Sequence, residues 1–203
     1  MQDFIINEIQ ETRETHQKIL EDKALLKTAE TIAKVCTESL QHGHKILFAG
    51  NGGSAADSQH LAAELVSRLQ YNRPGLAGIA LTTDTSALTA IGNDYSFENL
   101  FSRQIEAIGR KGDVFIGIST SGNSPNILKA LKQAKDLGLI TVGFAGETGG
   151  QMSEYCDYIL KIPSRKTPKI QESHILLGHI ICALIEETIY GEQYNPHKQK
   201  AHA

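Results

Sequence analysis

Residues 45–68 constrain this chain more than any other stretch. The apolar run Lys45–Ala49 reads as a buried strand, and Gly50-Asn51-Gly52-Gly53 follows it directly. Glycines at 50, 52 and 53 allow a sharp backbone turn and a close approach by a ligand. Ser54 is the expected N-cap of a helix that begins at Ala55. A strand, a glycine turn and a helix start offer free N–H groups and the positive end of a helix dipole to an anion. On that helix Asp57, His60 and Glu64 are spaced i, i+3 and i+7, so they share one face. An imidazole and a carboxylate one turn apart can ligate a metal ion together, or move protons at one carbon. The same pair is equally at home on a solvated helix surface.

The strand–turn–helix pattern recurs. Asp113–Ile118 reads as a strand, Ser119-Thr120-Ser121-Gly122-Asn123-Ser124-Pro125 as a turn, and the following residues as a helix with Ile127, Leu128, Leu131, Ala134 and Leu137 on its inner face. Ser124 is the expected N-cap and Pro125 the first helical residue. Hydroxyls and N–H groups at a helix start form a phosphate cradle, and the absence of a Gly-Lys-Ser or Gly-Lys-Thr sequence excludes a nucleotide P-loop.

Around these units the periodicity predicts two leading amphipathic helices (4–21 and 24–41) and a strand over 76–81. A short helix over 87–91, a polar turn Gly92-Asn93-Asp94-Tyr95 and a helix over 97–109 come next. Strands over 139–145 and 158–162 precede a long helix over 170–190. Residues 191–203 are polar and unpatterned, which predicts a flexible tail behind a single domain over 1–190. Strands alternating with helices imply an α/β fold, a parallel sheet between two helical layers. Ligands of such sheets sit at the carboxyl ends of the strands, where both polar turns lie.

Composition removes several classes of function. A formal net charge of -3 leaves no electrostatic footprint for nucleic acid, and no apolar run approaches the length of a membrane span. The N-terminus lacks the basic start and apolar core of a signal peptide, and the three cysteines, Cys36, Cys156 and Cys182, are widely separated and odd in number, which fits a reducing cytoplasm. The long last helix carries Gln171, His174 and His179. On a helical wheel Gln171 lies between the two histidines, about 60° and 80° from them, so either can share a site with it.

The segments Gly50–Asp57, Gly92-Asn93-Asp94 and Ser119–Ser124 together resemble the sugar isomerase (SIS) domain family, and the likeness extends over about residues 1–190, including Ile170-Gln171-Glu172. The resemblance implies a three-layer sandwich, a central parallel sheet flanked by helices, with additional N-terminal helices. It implies a cytoplasmic homotetramer with one zinc ion per subunit, acting on a small-molecule sugar phosphate, with no nucleic-acid or membrane partner. The implied reaction is conversion of D-sedoheptulose 7-phosphate to D-glycero-D-manno-heptose 7-phosphate, at the head of heptose supply for lipopolysaccharide, capsule or another surface glycan. By the resemblance His60, Glu64, Gln171 and His179 hold the metal, and Glu64 and His179 form the acid/base pair. Ser119, Thr120, Ser121 and Ser124 bind the phosphate, while Asn51, Gly52, Gly53, Asn93 and Asp94, with Glu64 and Gln171, contact the rest of the substrate. Lys169 departs from the arginine more usual at its position. Two rival expectations are isomerisation of a shorter sugar phosphate and a regulatory protein that only binds one; an acid/base pair is needed by an isomerase and not by a binder.

Overall fold

The computed structural model describes residues 1–199. Two helices lead, α1 (Gln2–Glu21) and α2 (Lys23–Gln41), separated by Asp22, whose carboxylate accepts from the N–H groups of Ala24 and Leu25 and so starts the second. Then come β1 (Ile46–Gly50), α3 (Gly53–Val66), β2 (Gly78–Ala80), α4 (Thr85–Asp94), a 3-10 turn over Phe97–Asn99 and α5 (Leu100–Ile108). The second half runs β3 (Val114–Ile118), α6 (Pro125–Asp136), β4 (Ile140–Ala145), a 3-10 turn over Gly150–Glu154, β5 (Tyr158–Lys161), α7 (Thr167–Tyr194) and the short α8 (Pro196–Gln199).

All five strands are parallel, in the order β2-β1-β3-β4-β5. Their sequences are almost wholly apolar because both faces are covered. Alternate residues feed two cores. Phe48, Ile116 and Phe144 pack with Ile32, Cys36, Leu177 and Ile181 on the face of α2, α3 and α7. Leu47 and Phe115 pack with Phe101, Ile105, Ile127 and Leu131 on the face of α5 and α6. Helix α7 is long and apolar enough to cross a membrane by length and composition, with mean hydropathy 1.2, but Ile170, Leu177, Ile181 and Ile185 are buried in the first core.

The expected α/β sandwich with its N-terminal helices is present, and four local expectations change. Ser54 does not cap α3: Gly52, at φ 56°, is the N-cap, the helix begins at Gly53, and Ser54 is buried in its first turn. Residues 92–94 are not a turn, since α4 continues through Gly92 to Asp94 with Leu88 and Ile91 packed on the second core. Strand β2 is three residues long rather than six. The last helix runs to Tyr194, and α8 follows, so the predicted tail over 191–203 is helical through most of its described part; residues 200–203, His202 among them, lie outside the described residues.

Candidate active site

Strand β1 is followed by a crossover to β2 on one side, while β3, β4 and β5 lie on the other, so the chain changes direction between β1 and β3. That switch point leaves a crevice at the carboxyl ends of two neighbouring strands, Gly50 standing beside Ile118 in the register. Both polar turns open into it. They are tied together by a reciprocal amide pair: Asn51 Nδ2 donates to Asn126 Oδ1 (2.9 Å) and Asn126 Nδ2 donates to Asn51 Oδ1 (2.8 Å). Asn126 is buried in the first turn of α6, and the pair satisfies both side chains. Asn51 therefore spends its side chain joining the turns, and Gly52 and Gly53 form the bare start of α3.

In the second turn Ser124 is the N-cap residue of α6 by position, but its hydroxyl does not cap the helix. It bonds to Ser119 Oγ at 2.8 Å, and Ser121 Oγ lies 3.4 Å from the same atom. The hydroxyls thus converge, and the first N–H groups of α6 receive no side-chain cap. The turn is held from behind: Asn123 Nδ2 donates to Ser121 O, and Asn123 Oδ1 accepts from Gln151 N. Gly122, at φ 66°, packs so closely on Gly149 that a Cβ there would stand 2.2 Å from its carbonyl oxygen.

The third part of the site lies where α3 meets α7. His60 Nε2 is 2.8 Å from His179 Nε2 and 3.1 Å from Glu64 Oε1. One ligand atom from each of these residues falls within 4.8 Å of the others. Two imidazoles and a carboxylate are a donor set that zinc accepts, and their spacing is close to the roughly 3.3 Å between ligands about 2 Å from one tetrahedral ion. His60 is exposed and the other two are partly covered.

Two buried features set this crossing. Gly178 faces Leu61: a Cβ at 178 would lie 2.7 Å from Leu61 Cδ2, so the glycine makes room for this buried leucine between the helices, beside His60 and His179. Deeper, Arg73 and Glu186 form a fully buried ion pair (2.9 Å). The guanidinium of Arg73 also donates to the carbonyls of Glu64, Leu65 and Ser67 at the end of α3, and Glu186 accepts from the N–H groups of Leu69 and Gln70. The pair thus fastens the helix end that carries Glu64 to the helix that carries His179.

Gln171, at the start of α7, donates from Nε2 to Asp57 Oδ1 at 2.6 Å and bears on Gly53. Its carbonyl oxygen makes no hydrogen bond among the described residues. Asp57 is 6% exposed, and its other oxygen, Oδ2, has no partner among the described residues. Burial pushes the Asp57 carboxyl above its ordinary range, opposed by the Gln171 hydrogen bond and by the nearby His60 and His179. His174 points elsewhere: it is fully buried, its Nε2 meets the Ala145 carbonyl at 3.1 Å, and burial lowers its pKa to about 4.

The structure therefore gathers Asn51, Gly52 and Gly53 with the 119–124 hydroxyls at one crevice, and brings His60, Glu64 and His179 together beside it. Asn93 and Asp94 lie at the end of α4, exposed and hydrogen-bonded to each other (2.8 Å). Arg68, one turn beyond Glu64 in the sequence, is exposed, and Glu64 pairs with His60. Sequence reasoning missed Asn126, Arg73, Glu186 and Gly178; the signals available were a glycine beside a candidate ligand and an acid inside an apolar helix face.

Comparison with known proteins agrees with this geometry. The SIS domain family model matches residues 9–146. The chain is 58% identical over 194 residues to a phosphoheptose isomerase of Aneurinibacillus thermoaerophilus, covering 96% of this chain and 98% of that one. It is 56% identical over 190 residues to a phosphoheptose isomerase of Burkholderia pseudomallei, covering 94% and 96%. The solved phosphoheptose isomerase of Neisseria gonorrhoeae superposes with a TM-score of 0.86 at 42% identity, covering 92% and 98%. The chain belongs to the SIS-domain family and, within it, to the phosphoheptose isomerases.

Proposed function

We propose that this chain interconverts D-sedoheptulose 7-phosphate and D-glycero-D-manno-heptose 7-phosphate, an aldose–ketose isomerisation that opens the synthesis of bacterial surface heptose. The observations that carry the reading are the converging hydroxyls of the 119–124 turn and the His–Glu–His cluster where α3 meets α7. The phosphate would sit on Ser119, Thr120, Ser121 and Ser124, with the helix start supplying N–H groups and a favourable dipole. The glycine start of α3 would admit the sugar chain close to the backbone, and Gln171 would orient it from the opposite wall. Asn93 and Asp94 would contact the far end of the substrate.

Isomerisation moves one proton from C1 to C2 while the two oxygens exchange protons. Glu64 takes the proton from C1 of the open-chain ketose, leaving a cis-enediolate, and His179 delivers a proton to O2. The same pair then completes the reaction in reverse roles, a proton leaving O1 and one arriving at C2. His60, Glu64, Gln171 and His179 would hold a zinc ion, one per subunit, and the chemistry it supplies when bound is Lewis-acid polarisation of the sugar carbonyl. Glu64→Gln keeps the shape of the side chain and removes the base. Its expected turnover falls by roughly 100- to 10,000-fold while sugar phosphate still binds; substantial residual activity would defeat the assignment.

A homotetramer of the cytoplasm is part of the same proposal. Phe4, Ile5 and Ile9 on α1, and Ile180 and Leu184 on α7, are exposed apolar side chains of the kind that copies of one chain bury together. All three cysteines are free, as a reducing compartment would keep them.

A further inference from the structure

The serine-rich turn has a neighbour that the proposed reaction leaves unused. A cavity of about 170 Å³ opens between Thr120 and Ser121 of the turn, Glu147 after β4, and Ser164 and Arg165 before α7. Its walls are fixed by backbone hydrogen bonds, Gly146 N to Thr120 O (3.0 Å) and Glu147 N to Ser164 O (3.2 Å). Arg165 Nε donates to Glu147 Oε2 at 2.6 Å across the rim, with the arginine 82% and the glutamate 49% exposed. A pair as open as this contributes little, so exchanging its partner costs little.

Other cations lie near the turn: Lys161 rests against Gly149, which packs on Gly122, and two further lysines are already engaged. Lys166 is engaged by both carboxylate oxygens of Glu11, and Lys169 is buried against Glu8, Glu172 and Thr12. The turn itself offers hydroxyls and N–H groups but no cation. A phosphate dianion gains most from a planar guanidinium that can meet two of its oxygens.

We propose that Arg165 clamps the phosphate: when a phosphoryl group occupies the Ser119–Ser124 turn, the guanidinium leaves Glu147 for it, and Glu147 acts as a competing carboxylate that weakens binding in the free protein. The inference rests on the reading of that turn as the phosphate site. It sets affinity for the phosphorylated end of the substrate and leaves the proton transfer to Glu64 and His179.

The test is calorimetric titration of the intact protein with inorganic phosphate, D-sedoheptulose 7-phosphate and unphosphorylated sedoheptulose, alongside KM and kcat. Arg165→Met should weaken both phosphorylated ligands roughly fivefold to tenfold, with a matching rise in KM, and the gap should narrow as salt is raised. Glu147→Gln should tighten them by up to about fivefold, the value of an exposed pair. Arg165→Lys should restore part of the loss. Arg103→Met, which breaks the exposed pair with Glu106 on α5, serves as the control for net charge and should change nothing. If Arg165→Met binds phosphate like the parent, or Glu147→Gln weakens it, the clamp is overturned. If the parent itself binds neither phosphorylated ligand, the phosphate reading of the turn falls, and the clamp with it.

Discussion

His60 Nε2 and His179 Nε2 face each other at 2.8 Å, although their residues stand 119 apart in sequence. Two imidazole nitrogens at that distance need one proton or one cation between them, and Glu64 brings a negative charge to the same point. The approach depends on Gly178, next to His179, packing on Leu61, next to His60. Gly178→Ala should therefore act twice. Overpacking should lower stability by about 1–3 kcal/mol in chemical denaturation, and zinc affinity in titration should fall because the ligand pair is spread. Unchanged zinc affinity in a folded Gly178→Ala protein would show that the helix contact does not set the cluster.

The Arg73–Glu186 pair gives a second prediction. Removing one partner leaves the other buried and unpaired, so Arg73→Met and Glu186→Leu should each cost about 3–5 kcal/mol, while the double variant should cost less than the sum of the two. Denaturant melts of the four proteins form the cycle. Additive losses would mean that the contacts of Arg73 with the α3 carbonyls, rather than the ion pair, carry its contribution.

His174 predicts how stability depends on pH. Its folded pKa lies near 4, below the ordinary 6.5, so between these values the unfolded chain binds the proton more readily. Its contribution is complete above about pH 6.5 and is lost as pH falls toward 4, on the order of 3 kcal/mol in all. Asp57, shifted upward, leans the opposite way in acid, but that term is common to parent and variant. His174→Gln, which can still donate to the Ala145 carbonyl, should show a flatter fall in stability between pH 6.5 and 4. Parallel curves for the two proteins would remove His174 from the account.

Much of this was legible in the sequence because it is local. The strand, glycine turn and helix around Gly50, the hydroxyl turn before Pro125 and the His60–Glu64 spacing each depend on neighbours within a few residues. Ser54 was misplaced because Gly52, free to take a positive φ, turns the chain two residues earlier. The 92–94 segment reads as a turn by composition, yet the apolar contacts of Leu88 and Ile91 carry the helix through it. The wheel left His174 and His179 as equal candidates; only the packing of α7 turns one inward to the Ala145 carbonyl and the other toward His60. Asn51 with Asn126, Arg73 with Glu186 and Leu61 with Gly178 join residues 75 to 117 positions apart, and no local pattern announces such partners.

The proton route is the centre of the account, and NMR in heavy water tests it most directly. Purified protein, with zinc supplied or removed by a chelator, is mixed with D-sedoheptulose 7-phosphate in deuterium oxide. The account predicts an aldoheptose 7-phosphate carrying solvent deuterium at C2, formed with zinc and lost on chelation. Product without deuterium at C2 would contradict the enediolate route. No conversion under any metal condition, by folded protein that binds the sugar phosphate, would contradict the isomerase itself.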